Sequence, residues 1–247
     1  FTLMAIPFTK MHALGNDFVL IEENALKVPL TTKQIRFLAD RRQGIGCDQL
    51  IVFKDSPNAD ATVSFFNADG SSAQACGNGT RCIAYYLGKD QGSIQTPSFL
   101  SQFWKKKNQI TISLKDPTFQ GSHLAGHRIN VGNPHIVIFT DDLEEDDFEE
   151  LALSVQPPRG INVELAQVIS PKVIKAKVWE RGTGITPACG SGACAVGILA
   201  LKLGFIEKGP ASIEMPGGTL IVNWAEKKPL LLTGPVKFCY EGIIDIP

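Results

Sequence analysis

The sequence has no long apolar run, no surplus of charge of either sign and few rings other than phenylalanine: tryptophan and tyrosine number three each, histidine four. No stretch approaches the roughly 18–20 apolar residues of a membrane helix. With 24 Lys and Arg against 25 Asp and Glu, the net charge of -1 leaves no basic surplus for nucleic acid. No basic amphipathic stretch points to a lipid surface either. Nucleic acid and membrane are therefore not expected as partners. Residues 1–8 lack the length and basic start of a signal peptide, and Met4 reads as a natural start preceded by Phe1, Thr2 and Leu3. These absences point to the cytoplasm, where the six cysteines stay reduced.

What is present is a repeat. Phe66-Asn67-Ala68-Asp69-Gly70 leads to Ala75-Cys76-Gly77-Asn78-Gly79, and Trp179-Glu180-Arg181-Gly182-Thr183 leads to Ala188-Cys189-Gly190-Ser191-Gly192. Cys76 and Cys189 stand 113 residues apart, as do Asn67 and Glu180. Earlier echoes keep nearly the same offset: Gly15-Asn16 before residues 17–21 and Gly132-Asn133-Pro134-His135, then Gly44-Ile45 before Gln49 and Gly160-Ile161 before Asn162. The period is far too long for a solenoid, so the chain reads as two homologous halves of about 115 residues.

The element signals run in parallel. Residues 17–21 and 135–139 are β-branched or aromatic runs bounded by Gly, Asn and Pro, hence strands. Thr31 or Thr32 caps a helix through Asp40, and residues 141–153 read as its counterpart, with eight carboxylates between Asp141 and Glu150 as a solvated face. Residues 63–66 and 173–179 read as strands entering the cysteine loops. Residues 81–87 and 193–201 read as buried helices stopped by Gly88 and Gly204. Further strands are expected over 109–114 and 219–224.

Ala-Cys-Gly-x-Gly places a thiol at a helix start. The first turn leaves N–H groups without intrahelical partners and carries partial positive charge. Both favour thiolate over a free thiol pKa near ~8.5, and the glycines let an anion approach the backbone. Two such thiols in duplicated halves match the inversion of a stereocentre: one takes a proton from one face of a carbon, the other returns one to the opposite face. Both helix starts can then stabilise a carboxylate beside the developing carbanion, without metal or cofactor. A Cys76–Cys189 disulfide and a phosphate cradle remain as alternatives, though no Lys-Ser/Thr of a P-loop follows either loop. Zinc remains another, although Cys76/Cys82 and Cys189/Cys194 are six and five apart, off the usual spacing. Cys82 and Cys194 fall inside apolar helical runs and read as core, while Cys47 and Cys239 have no constellation around them.

These motifs, with Met11-His12-Ala13-Leu14-Gly15-Asn16-Asp17-Phe18, Thr80-Arg81-Cys82 and Tyr240-Glu241-Gly242, resemble the diaminopimelate epimerase family over nearly the whole chain. The resemblance implies a pyridoxal-independent isomerase that interconverts LL- and meso-2,6-diaminopimelate, a precursor of lysine and peptidoglycan. It implies an α/β (α+β) fold of two homologous lobes, each a mixed, mostly antiparallel sheet wrapped around a central helix, with the active site in the cleft between them. The first lobe would span residues 1–117, completed by a carboxy-terminal strand over 236–247, and the second 118–235. By the same resemblance Cys76 and Cys189 are catalytic. Asn16, Gln49, Asn67, Gly77, Asn78, Asn133, Asn162, Glu180, Arg181, Gly190 and Ser191 contact substrate, His135 and Glu180 tune the thiols, and Tyr240 lies at a homodimer interface. An amide-rich site suits the unreactive amino-acid end of the substrate, with Arg181 forking its distal carboxylate and Glu180 holding its ammonium.

Three features depart from the family pattern: a short 122–130 region, Cys47 before Asp48-Gln49, and Pro187 where Gln is usual, which removes one backbone donor. A proline racemase or hydroxyproline epimerase is the nearest rival, though a compact cyclic substrate gives Glu180 and Arg181 no second head to bind. A thiol redox switch without turnover is the reading from another class.

Overall fold

In the computed structural model, which describes residues 4–123, 126–144, 147–157 and 160–246, the chain first turns back on itself at Leu14 and Gly15. Their φ values of 54° and 87° suit a two-residue hairpin that joins β1 (Met4–Ala13) to β2 (Asn16–Glu22). α1 (Thr32–Ala39) opens with a capping box. The Thr31 hydroxyl accepts from the Gln34 N–H at 3.3 Å, and the Gln34 side chain accepts from the Thr31 N–H at 3.0 Å.

β3 (Gln49–Lys54) then runs parallel to β2, and β4 (Ala61–Asn67) antiparallel to β3. The short β5 (Ser72–Ala73) folds back on β4, and α2 (Gly77–Tyr86) follows Cys76. β6 (Gln91–Gln95) returns parallel to β4, and β7 (Leu100–Lys106) and β8 (Gln109–Leu114) continue as an antiparallel meander.

The chain then repeats the plan. β9 (Thr118–His123), β10 (Gly126–Asn130) and β11 (Pro134–Phe139) are successive antiparallel strands, α3 (Phe148–Ser154) follows, and β12 (Asn162–Ser170) lies parallel to β11. β13 (Val173–Glu180) and the short β14 (Gly184–Thr186) precede Cys189 and α4 (Gly190–Lys202). β15 (Ala211–Met215) lies parallel to β13, and β16 (Gly218–Asn223) and β17 (Leu230–Pro235) close the meander. β18 (Lys237–Ile246) then pairs antiparallel with β1, from Met4 opposite Ile246 to His12 opposite Lys237, as β9 pairs with β10.

The chain divides into two compact units, residues 1–112 with 235–247 and residues 113–234. Each is a mixed, mostly antiparallel sheet lying against a largely buried helix, the α/β class expected. α4 buries Ala193, Ala195, Val196, Ile198, Leu199 and Ala200 against strands from β10 to β16. Each fully buried Leu or Ile side chain contributes about 1.5–3 kcal/mol. Gly88 and Gly204 stop α2 and α4 in the left-handed region, at φ 71° and 77°.

One helix is shorter than its sequence pattern. Residues 141–153 were expected to be helical, but α3 begins only at Phe148, after Asp147 caps the Glu150 N–H. Thr140 and Asp142 bond the local backbone instead, which keeps the chain in a turn. Glu149 and Glu150 then fall in the first turn of α3, where the helix dipole favours them. The proposed start at Met4 concerns residues 1–3, which lie outside the described residues. Among the described residues no helix is long and apolar enough to cross a membrane.

Candidate active site

Both cysteine loops are built alike. Cys76 is extended (φ -152°, ψ 104°) and caps α2, its Sγ accepting from the Gly79 N–H at 3.3 Å. Cys189 is extended (φ -133°, ψ 121°) and caps α4, its Sγ accepting from the Gly192 N–H at 3.4 Å and lying 3.3 Å from Ser191 Oγ. Each sulfur thus holds the position a Ser or Asp side chain takes at a helix start. Gly77 and Gly190 open the two helices. The third glycine-loop position is fixed by packing: a Cβ on Gly79 would stand 2.9 Å from Ile51, and one on Gly192 would stand 2.7 Å from Glu164 Oε1. Cys82 and Cys194 are fully buried in the helices, and burial pushes the Cys47 thiol up to about 12. None of the six cysteines is joined in a disulfide bond.

In the first unit the predicted amides form two hydrogen-bonded groups. Asn78 is buried and donates to Asn16 Oδ1 at 3.0 Å, Asn16 donates to Asp48 Oδ2 at 2.8 Å, and the fully buried Arg81 donates to Asn78 Oδ1 at 2.8 Å. Gln49 faces Asn67 across β3 and β4 and donates to its Oδ1 at 2.8 Å, and Asn67 donates to Ser71 Oγ at 3.0 Å. Asp48 is anchored in turn by Arg41, which also forks onto Asp17 at 2.8 Å. Burial alone would raise the Asp17 carboxyl, but hydrogen bonds from Arg41 and Lys10 hold it well below the usual carboxylate range.

In the second unit the predicted residues crowd around Cys189. Asn162 accepts from the Arg181 N–H at 2.9 Å and donates to the Pro134 carbonyl at 3.2 Å. The Arg181 side chain is on the surface, its stem against Gly160, where a Cβ would stand 2.8 Å from Arg181 Cγ. Its guanidinium has no carboxylate partner among the described residues. Glu180 accepts from the Thr186 hydroxyl and lies within hydrogen-bond reach of the Cys189 thiol. His135 is fully buried, with Nδ1 2.6 Å from Glu164 Oε1 and Nε2 3.0 Å from Asn133 Oδ1.

The electrostatics of this half differ from expectation. A helix start was expected to lower both thiols. Instead Cys189, only 6% exposed, is raised well above the ordinary thiol value, by burial first and then by the charges of Glu180 and Glu164. The Ser191 hydroxyl and Gly192 N–H oppose this without reversing it. Burial, reinforced by the charge of Glu164, also raises Glu180 against the hydrogen bond from Thr186.

A pH dependence follows. A carboxyl raised by folding binds its proton more tightly in the folded than in the unfolded chain, so stability falls as pH rises from 4.5 through the raised value. Glu180→Gln is expected to remove that decline and to raise the melting temperature at neutral pH relative to the parent. Melting temperatures of both proteins across this range check it; parallel curves would contradict it.

Around Cys189, Glu164 and Thr186 had not been expected, and in the first unit neither had Asp48 and Arg81. Glu164 left one signal, since it sits two residues after Asn162 in a strand and therefore on the same face. Tyr240 lies on β18, 47% exposed, its ring edge-on to Phe8 at 6.0 Å, with Phe238 and Ile243 also exposed nearby. Among the described residues no three His, Cys, Asp or Glu side chains are grouped to hold a metal ion.

The sequence model of a family described as Diaminopimelate epimerase matches residues 8–114 and 128–239. A diaminopimelate epimerase of Sphingopyxis alaskensis is 36% identical over 265 residues, covering 98% of each chain. One of Rhizorhabdus wittichii is 37% identical over 267 residues, covering 98% of this chain and 97% of its own. Among solved structures, a phenazine biosynthesis protein of the PhzF family from Bacillus anthracis superposes with a TM-score of 0.74 at 16% identity, covering 97% and 99% of the two chains. A hydroxyproline epimerase from Agrobacterium vitis with bound trans-4-OH-L-proline gives 0.71 at 11% identity, covering 98% and 93%. At these identities the two structures speak for the fold alone.

Proposed function

Because the chain belongs to the diaminopimelate epimerase family, we propose that it is an isomerase that interconverts LL- and meso-2,6-diaminopimelate, with Cys76 and Cys189 as base and acid. The observation that carries this reading is the pair of thiols capping equivalent helices in units of one topology. One thiolate takes the α-proton onto its sulfur and leaves a carbanion. The other thiol gives its proton to the opposite face of that carbon and is left as thiolate. The proton count is unchanged, but the proton has moved from one sulfur to the other, and exchange with water resets the pair. N–H groups of the two helix starts stabilise the α-carboxylate as charge builds on it.

This scheme draws on no pyridoxal phosphate or metal. Cys189, held protonated by burial and two carboxylates, is suited to start as the acid, which leaves Cys76 as the first base. Asn16, Gln49, Asn67, Asn78, Asn133, Asn162, Gly77, Gly190 and Ser191 provide the polar lining for an amino-acid substrate. Arg181 and Glu180 serve the distal carboxylate and ammonium. An arriving ammonium would favour the charged form of Glu180, which burial disfavours. His135 tunes Cys189 through Glu164. The product feeds lysine and peptidoglycan synthesis in the cytoplasm.

The exposed Phe238, Tyr240 and Ile243 on β18 support a homodimer through that strand. Sedimentation of the reduced protein checks this, and a monomer at micromolar concentration would count against it. Assays of the purified protein with diaminopimelate, proline and hydroxyproline test the activity. Turnover of the first alone is expected; turnover of a cyclic substrate alone would favour the proline racemase reading.

A further inference from the structure

The two cysteine helices rest on different ground. Parallel register pairs Phe18 with Gln49 in the first unit and His135 with Asn162 in the second, so His135 stands where the first unit has Phe18. Two residues along the adjacent strand, Glu164 stands where the first unit has Ile51. A Cβ on Gly79 would meet Ile51, Phe65 and Phe18, whereas one on Gly192 would meet Glu164 Oε1. An apolar floor under α2 is thus replaced under α4 by a carboxylate and an imidazole, both 0% exposed.

Glu164 Oε1 abuts Gly192, the residue whose N–H binds Cys189 Sγ. Its other oxygen has no hydrogen-bond partner among the described residues. A buried carboxylate is costly unless it is paired, and the ring of His135, held from its far side by Asn133, supplies the partner. A negative charge at this place competes with a thiolate for the positive end of the helix. We infer that Glu164, fixed by His135, is a positioning residue that keeps the proton on Cys189 in the resting enzyme and so decides which thiol of the pair begins as acid. The groups facing Cys189 are Glu180 from β13 and Glu164 from β12, with His135 on β11 behind Glu164, and Ser191 on α4 itself.

The inference rests on the reading of Cys76 and Cys189 as the reactive pair, so its test is read without substrate. Alkylation by iodoacetamide is followed against pH at each cysteine, by peptide mass spectrometry, in the parent, Glu164→Gln and Glu164→Asp. In Glu164→Gln, Cys189 should be alkylated about tenfold faster near neutral pH, the change in thiolate fraction that one pH unit brings, with Cys76 unchanged. Glu164→Asp keeps the charge and should stay close to the parent. The inference is overturned if Cys189 in Glu164→Gln follows the parent profile, if Glu164→Asp accelerates it as much, or if Cys76 accelerates equally. Should neither variant fold, nitrogen NMR of the unmutated protein decides: a proton on His135 Nδ1 is required, and a bare Nδ1 overturns it. Loss of this result leaves the epimerase assay untouched, and failure of that assay leaves the alkylation profile readable.

Discussion

Cys76→Ser and Cys189→Ser are each expected to lose epimerase activity by about 10⁴-fold, the upper end of what a positioned acid or base supplies. A serine hydroxyl yields its proton far less readily than a thiol, so neither half of the transfer can run through it. The fold should tolerate the change. Both cysteines cap helices through their side chains, and serine is among the preferred residues at that position. Circular dichroism and thermal melting therefore separate lost chemistry from lost structure. Cys82→Ser and Cys194→Ser provide the contrast, since both side chains are 0% exposed in the interior of their helices. A hydroxyl buried there costs roughly 1–3 kcal/mol of stability, while the folded fraction should keep its turnover. A well-folded Cys194→Ser without activity, beside an active Cys189→Ser, would reverse the assignment.

Arg181→Met should lower kcat/KM for diaminopimelate by about 100-fold, carried mainly by KM, because a charge-assisted hydrogen-bonded pair contributes about 1.5–3 kcal/mol. The backbone of Arg181 is already fixed by Asn162, and its stem lies against Gly160. It has no carboxylate of its own among the described residues, which leaves its fork for the substrate. Arg181→Lys should recover only part of the loss, since an ammonium cannot grip a carboxylate with two parallel bonds. Steady-state kinetics measure both variants. An unchanged KM in Arg181→Met would place the distal carboxylate elsewhere.

Much of this is legible in the sequence. The Ala-Cys-Gly-x-Gly repeat marks both helix starts, and the constant spacing of Asn67 and Glu180 to their cysteines follows from β4 and β13 ending at equivalent points. Gly79 and Gly192 are glycine because the sheet beneath leaves no room for a Cβ, which spacing alone does not reveal. The short α3 was missed because a dense run of carboxylates reads as a helical surface while Thr140 and Asp142 draw the backbone into a turn. The raised thiol of Cys189 was missed for a different reason. A helix start is a local property, and its effect on a thiol was readable; the charge beneath it comes from Glu164, 25 positions away and brought there by strand pairing. Local pattern thus located the two thiols, and tertiary packing made them unequal.

In the two-thiol reaction the α-proton of diaminopimelate exchanges with water. Reduced protein incubated in D2O with LL-diaminopimelate, without added metal or pyridoxal phosphate, tests it by proton NMR and mass spectrometry. One deuterium is expected at one α-carbon of each meso product molecule, in step with its formation, because the returning proton comes from a solvent-exchanged thiol. Meso product formed with its original α-hydrogen retained, or no exchange and no product from well-folded reduced protein, would contradict it.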